Sequence, residues 1–244
     1  MERLIIEELL QWKTSPRRKP LILNGARQVG KTWILKHFGE MHYDNVAYIN
    51  CDKESLAAKL FEDYDTKRII QAIEAITNTQ IVAGKTLIII DEIQEVPRGL
   101  HALKYFAENA PEQHIAVAGS LLGLLLHQGE NFPVGKVNML QMHPMTFMEF
   151  LKAIGEDKIY QQLLNREWSV TNTVHEKIVK HLRMYLYVGG MPEAVQAYCN
   201  NVPLREIRSI HNEILTAYIN DLSKHAPKEQ VVRITQVFRS IPAQ

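Results

Sequence analysis

Eight consecutive residues, Gly25-Ala26-Arg27-Gln28-Val29-Gly30-Lys31-Thr32, fit the pattern GxxxxGKT without a mismatch. Glycine at either end allows the backbone conformations and close approach that a loop needs to wrap a phosphate. Successive backbone N–H groups at the start of a helix then form an anion cradle. Lys31 supplies a point charge for β- and γ-phosphates, and the Thr32 hydroxyl suits Mg²⁺. Average residue usage would produce such an octapeptide by chance in roughly 1% of chains this long. An apolar strand pattern before it and a helical pattern after it reduce that chance further.

Sixty positions beyond Lys31, Leu87-Ile88-Ile89-Ile90-Asp91-Glu92 ends the most apolar strand pattern in the chain with two carboxylates. Ligands of open α/β sheets bind outside the carboxyl ends of the strands, so the pair is in the right place. Asp91 is expected to hold the Mg²⁺ hydration shell and Glu92 to polarise an attacking water. A solvated acidic turn is the alternative, and the phosphate loop weighs against it. Ser120, ending His114-Ile115-Ala116-Val117-Ala118-Gly119-Ser120, is expected to touch the γ-phosphate or the water. An ordinary helix N-cap is its rival role. Arg27 and Arg98 are candidates for neutralising γ-phosphate charge, and Arg17 and Arg18 for lining a base pocket. His175 and His181, six apart, do not align on one helical face as metal ligands.

Residues so placed require strands that alternate with helices. Pro20 to Leu23, Val46 to Ile49, Leu87 to Ile90, His114 to Val117 and Val134 to Met142 read as five strands. Helical spacing marks Arg3 to Trp12, Thr32 to Phe38, Ser55 to Phe61, Lys67 to Ile76, Gly99 to Asn109 and Leu121 to His127. Continuously apolar strands alternating with helices are what a parallel sheet covered on both faces demands. The expectation is an α/β three-layer αβα P-loop fold with a five-stranded parallel sheet in residues 1–145, then a helical lid or linker in 146–244. Two of those helices should meet at Gly189-Gly190, with Pro192 opening the second. Farther on, Ile207, Ile210, Ile214 and Tyr218 form an apolar stripe, expected to be partly uncovered and to favour self-association.

The chain has 244 residues, 28 Lys plus Arg against 27 Asp plus Glu, and 46% hydrophobic residues. That balance excludes a disordered chain and lends no support to a basic nucleic-acid surface. Cys51 and Cys199 have no CxxC spacing, so neither a disulfide framework nor a zinc site is expected. No apolar run approaches a membrane span, and MERLIIEELLQW is no signal peptide, so a cytoplasmic protein is expected.

PLILNGARQVGKT, TLIIIDEIQEVP, AVAGSLLG, HPMTFMEFL and YLYVGGMPEAV together resemble a family of prokaryotic AAA-superfamily ATPases whose members carry a C-terminal DUF4143 region. The resemblance implies an ASCE-type sheet with the first-motif strand beside an inserted strand, and Mg²⁺-ATP as ligand. It assigns Lys31, Thr32, Asp91, Glu92 and Ser120 the roles above. Relatives continue past the position of Gln244, so the C-terminal module is expected to be cut short here. ATP hydrolysis driving a nucleotide-dependent switch is the leading reading. A nucleotide-binding regulatory module with little hydrolysis stays open, and a DNA-associated ATPase rests on family association alone. Glu92 argues against a small-molecule kinase.

Overall fold

The strands hydrogen-bond in the order β2-β3-β4-β1-β5, every pair parallel. They are β1 (Leu21–Gly25), β2 (Asn45–Asn50), β3 (Thr86–Asp91), β4 (His114–Ala118) and β5 (Asn138–Met142). The computed structural model of the chain describes residues 1–53, 57–96, 98–119, 133, 135–225 and 229–241. Contacts divide it into two compact units, Glu2–Pro144 and Met145–Gln244, the latter joined by Met1.

In the first unit, burial follows position in the sheet. The inner strands β3 and β4 are buried at every residue, whereas the edge strands β2 and β5 alternate. Ile88 and Ile90 face one side with Ile69 and Ile73 of α4 (Thr66–Thr77) and Leu103 and Phe106 of α5 (Gly99–Asn109). The short α3 (Ala57–Leu60) joins this layer. On the other face lie α1 (Ile5–Thr14) and α2 (Lys31–His42), and α2 approaches so closely that a Cβ on Gly39 would stand 2.4 Å from Val46 Cγ2. The result is the expected three-layer arrangement, with β4 inserted between β1 and β3.

The fifth strand is shorter than the apolar pattern from Val134 suggests. Gly135 adopts φ +72°, and Lys136 N–H donates to Pro133 O at 3.0 Å, so the chain turns before extending. Asn138 begins the strand because its N–H donates to Pro20 O at 2.9 Å and its side chain accepts from Lys19 N–H at 2.8 Å.

The second unit is helical among its described residues: α6 (Phe147–Ala153), α7 (Asp157–Leu164), α8 (Trp168–Thr173), α9 (His175–Val188), α10 (Pro192–Cys199), α11 (Leu204–His225) and α12 (Val231–Ser240). A capping box starts α6: Thr146 Oγ1 accepts from Glu149 N–H, and the Glu149 carboxylate accepts from Thr146 N–H. Helices α9 and α10 meet at Gly189-Gly190 with Pro192 in the first turn of α10, as the sequence predicts. Gly190 is required by crowding, since a Cβ there would lie 2.2 Å from Met145 O. The Ile207 stripe is covered unevenly. Ile207 is fully buried with Val188 and Val195, Ile214 is buried, and Ile210 and Tyr218 are half-buried, because α10 and α11 pack on each other. No helix among the described residues is long and apolar enough to cross a membrane.

Candidate functional site

The carboxyl ends of β1 and β3 bring the two sequence motifs together. Strand β1 ends at Gly25, where a Cβ would meet Met142 O of neighbouring β5 at 2.4 Å, so only glycine lets the chain leave the sheet here. The loop then exposes Ala26, Arg27 and Gln28 while fully burying Val29. Gly30 takes φ +94° and leads into α2, whose first turn has no side-chain cap and no acidic residue. Uncapped first-turn N–H groups at a positive helix end favour an anion.

Lys31 is 7% exposed. Its Nζ donates to Gly25 O and Ala26 O, both at 2.8 Å. Burial lowers its pKa from the ordinary lysine value. The nearby Glu92 and Asp91 carboxylates oppose that shift, and the Arg27 guanidinium adds to it. The next residue joins the motifs: Thr32 Oγ1 donates to Asp91 Oδ2 at 2.7 Å. Asp91 is 3% exposed and also accepts from Tyr48 O–H at 3.2 Å and from Glu92 N–H at 3.1 Å. A buried carboxylate is tolerated only with such partners.

Glu92 adopts φ 50°, ψ 42°, a left-handed conformation costing roughly 1–2 kcal/mol for a residue with a side chain. Its neighbours Ile90 and Ile93 are fully buried, and each such side chain contributes roughly 1.5–3 kcal/mol. Burial therefore outweighs the strain, and the turn Ile93–Glu95 follows directly on Glu92. Gln94 Nε2 donates to Glu92 Oε2 at 2.5 Å.

Other candidates separate. Ser120 and the helix expected at Leu121 to His127 lie outside the described residues. Arg98 is engaged elsewhere: its Nη1 donates to Glu62 O at 2.7 Å and its guanidinium lies 5.9 Å from the Tyr64 ring centre. Arg18 donates to Pro111 O at 2.9 Å, just ahead of β4, which puts it at the amino end of the sheet rather than beside the phosphate loop. Arg17 precedes β1 at that same end, and its N–H donates to Ser15 Oγ at 3.2 Å. His181 stands 3.2 Å from Glu156, and no metal-binding cluster occurs among the described residues.

The sequence motifs assign no role to three residues at the site, one of which, Gln94, lies within TLIIIDEIQEVP. Arg3 is buried, donating to Val29 O at 3.0 Å and His143 O at 2.6 Å, so it ties the phosphate loop to the residue after β5. Tyr48 reaches Asp91 from β2, two residues before the strand ends. Gln94 holds Glu92. A charged residue opening an apolar helix was the only available signal for Arg3; the other two depend on strand register and turn geometry.

Sheet order, loop and paired carboxylates together define a P-loop ATPase fold of the AAA kind. Residues 17–151 match the AAA domain family, more than half of the chain, and the chain belongs to that family. Residues 179–244 match a domain of unknown function, DUF8612, which replaces the expected DUF4143. Among solved structures, the Walker-type ATPase PABY2304 of Pyrococcus abyssi aligns with TM-score 0.55 at 16% identity, over 93% of this chain and 77% of that one. Drosophila ORC bound to DNA aligns with TM-score 0.46 at 14% identity, over 86% of this chain and 66% of that one. Aeropyrum pernix ORC1 protein in complex with DNA aligns with TM-score 0.42 at 12% identity, over 91% and 66%. No curated protein matches the chain. At 16% identity the likeness to the Pyrococcus protein is one of fold.

Proposed function

We propose that the chain binds Mg²⁺-ATP at the carboxyl end of the sheet and hydrolyses it, cycling between nucleotide states as a switch. The observation that carries this reading is the 2.7 Å hydrogen bond from Thr32 to Asp91, which unites two motifs 59 residues apart beside the buried ammonium of Lys31. The phosphate loop from Gly25 to Thr32 would wrap the β- and γ-phosphates with its N–H groups. Lys31 would exchange its two loop carbonyls for phosphate oxygens, a trade of neutral acceptors for charged ones.

Thr32 and Asp91 offer a hydroxyl and a carboxylate side by side, hard oxygen donors that fit Mg²⁺. Bound there, Mg²⁺ would neutralise charge on the phosphate oxygens. Tyr48 would keep Asp91 oriented by its own hydrogen bond. Glu92 would accept a proton from the attacking water as the bond to the γ-phosphorus forms and the bond to the β–γ bridging oxygen breaks. Ser120, assigned a γ-phosphate contact by the resemblance, stays a candidate for that role.

Single-turnover hydrolysis of labelled ATP, with and without Mg²⁺, tests the reading. Release of phosphate that requires Mg²⁺ and disappears in Lys31→Ala supports it; metal-independent release, or none with ATP bound, contradicts it.

A further inference from the structure

Arg3 precedes α1 and takes no part in the reaction described so far, yet its guanidinium reaches the phosphate loop. The buried side chain spans two carbonyls through separate nitrogens: Nη1 donates to Val29 O at 3.0 Å and Nη2 to His143 O at 2.6 Å. His143 directly follows β5, whose last residue Met142 pairs with Gly25 of β1, so the second anchor belongs to the sheet. Arg3 is itself fixed at the start of α1, where Ile6 N–H donates to its carbonyl at 3.2 Å and Ile5, Leu9 and Trp12 are buried. The carbonyl it takes in the loop decides where a neighbouring donor points, because a trans peptide is planar with its C=O and N–H directed oppositely. Val29 O turns inward to the buried Arg3, so the Gly30 N–H of the same peptide points away from Arg3. Gly30 is partly exposed, and its N–H donates to no described residue. Two anchors flank this peptide: the Val29 side chain is fully buried, and Ile34 N–H donates to Gly30 O at 2.9 Å. Between them the plane is still free to turn over, since Gly30 at φ +94° tolerates negative φ equally well. Turned over, it would offer a carbonyl oxygen where an anion needs a donor, much as Gly25 O and Ala26 O already face the Lys31 ammonium.

We propose that Arg3 is a positioning residue for the anion cradle, an inference that rests on the phosphate loop being the ATP site. By holding Val29 O it fixes the Val29–Gly30 peptide so that the Gly30 N–H joins the uncapped first-turn N–H groups of α2 as a phosphate donor. A guanidinium on the carbonyl also polarises that peptide and strengthens its N–H as a donor. Glycine at position 30 gives the loop its tight entry into α2, and Arg3 supplies the orientation that glycine alone leaves open. Arg3 acts through the peptide and touches neither the nucleotide nor the attacking water, so its effect falls on phosphate binding rather than on the reacting bond.

The test measures affinity for ATP and for tripolyphosphate by calorimetry in the full chain, with steady-state hydrolysis and thermal unfolding alongside. Arg3→Met removes the guanidinium, whereas Arg3→Lys keeps the charge but loses the planar fork that spans two carbonyls. We expect both variants to bind ATP and tripolyphosphate more weakly by the same factor, about 10–100-fold, the loss of one hydrogen bond to a charged acceptor. KM should rise by that factor while turnover at saturating ATP stays within about threefold, the signature of lost uniform binding. A residue that only supports the fold would lower the unfolding temperature and leave the affinity of the folded chain unchanged, and that outcome overturns the proposal. Wild-type affinity in Arg3→Lys overturns it as well, since charge without the fork would then suffice. So does a loss for ATP with none for tripolyphosphate, which would put the effect on the nucleoside. Should both variants fail to fold, the wild-type chain carries the test by NMR: the Gly30 amide proton should move downfield as tripolyphosphate binds, and an unmoved resonance at saturation overturns the proposal. If the wild type binds neither probe, the ATP reading has failed and this one with it. If it binds both and Arg3→Lys matches it, only the role of Arg3 has failed.

Discussion

The two ends of the same parallel sheet are polar in opposite ways. At the amino end, Tyr43 O–H and His114 Nδ1 lie 2.7 Å apart, Trp12 packs edge-on against His114 with ring centres 6.0 Å apart, and Trp12 Nε1 donates to Lys19 O at 2.8 Å. Burial, with Arg18 and Lys13 nearby, pushes the His114 pKa down to about 4, so the ring is neutral. At the carboxyl end, Lys31, Asp91 and Glu92 bring full charges together, and one of their lowest-cost partners is replaceable: the Lys31 ammonium sits on neutral carbonyls. One end of the sheet removes charge to gain stability. The other retains charge in a scaffold rigid enough to hold it, which is how a site for an anionic ligand is distinguished from a polar cluster that only packs.

That contrast can be broken experimentally. The largest effect is expected from Lys31→Ala, which should weaken ATP binding by at least about 100-fold while leaving the fold intact, since it removes a charge whose phosphate hydrogen bonds are among the stronger kind. Calorimetry showing unchanged affinity would remove the phosphate loop from the account. Glu92→Gln comes next. It should keep ATP affinity and lower turnover by about 10²–10⁴-fold, the cost of a positioned base, and phosphate release at the wild-type rate would make Glu92 structural.

Gly25→Ala should destabilise the first unit by about 2–3 kcal/mol, because the added Cβ meets the Met142 carbonyl at 2.4 Å. Urea unfolding measures it, and a wild-type midpoint would mean that the loop leaves the sheet by another path. The smallest effect belongs to the amino end. An unfolded histidine takes up a proton near pH 6.5, whereas folded His114 resists until about pH 4. Between those values the unfolded state binds more protons, so the His114 contribution is complete above about pH 6.5 and is lost as pH falls toward 4. His114→Phe should flatten that part of the stability profile. Equal slopes for both proteins in urea midpoints at pH 7 and pH 5 would count against a buried neutral ring.

How much of this was legible beforehand follows from the kind of signal each element carries. β3 and β4 are uninterrupted apolar runs because both faces are covered, and the phosphate loop is a contiguous motif with its own punctuation. Asp91 and Glu92 could be placed because they end such a run. The β5 boundary could not, since Gly135 sets a turn inside an apolar-looking segment. Arg98 and Arg18 looked suitable by nearness in sequence, but backbone carbonyls at Glu62 and Pro111 claim them, and those partners are distant along the chain. Arg3 and Tyr48 reach the site through tertiary contacts, and Gln94 through the geometry of the turn that follows Glu92. The Ile207 stripe was visible as a stripe, but what covers it depends on how α10 folds against α11.

Hydrogen–deuterium exchange of the wild-type chain, with and without Mg²⁺-ATP, tests most directly whether the carboxyl end of the sheet is the working end. Protection is expected in residues 25–34 and 91–96, with no change in residues 111–116 at the amino end. Protection centred on the amino end, or none in residues 25–34 at saturating nucleotide, would contradict the account.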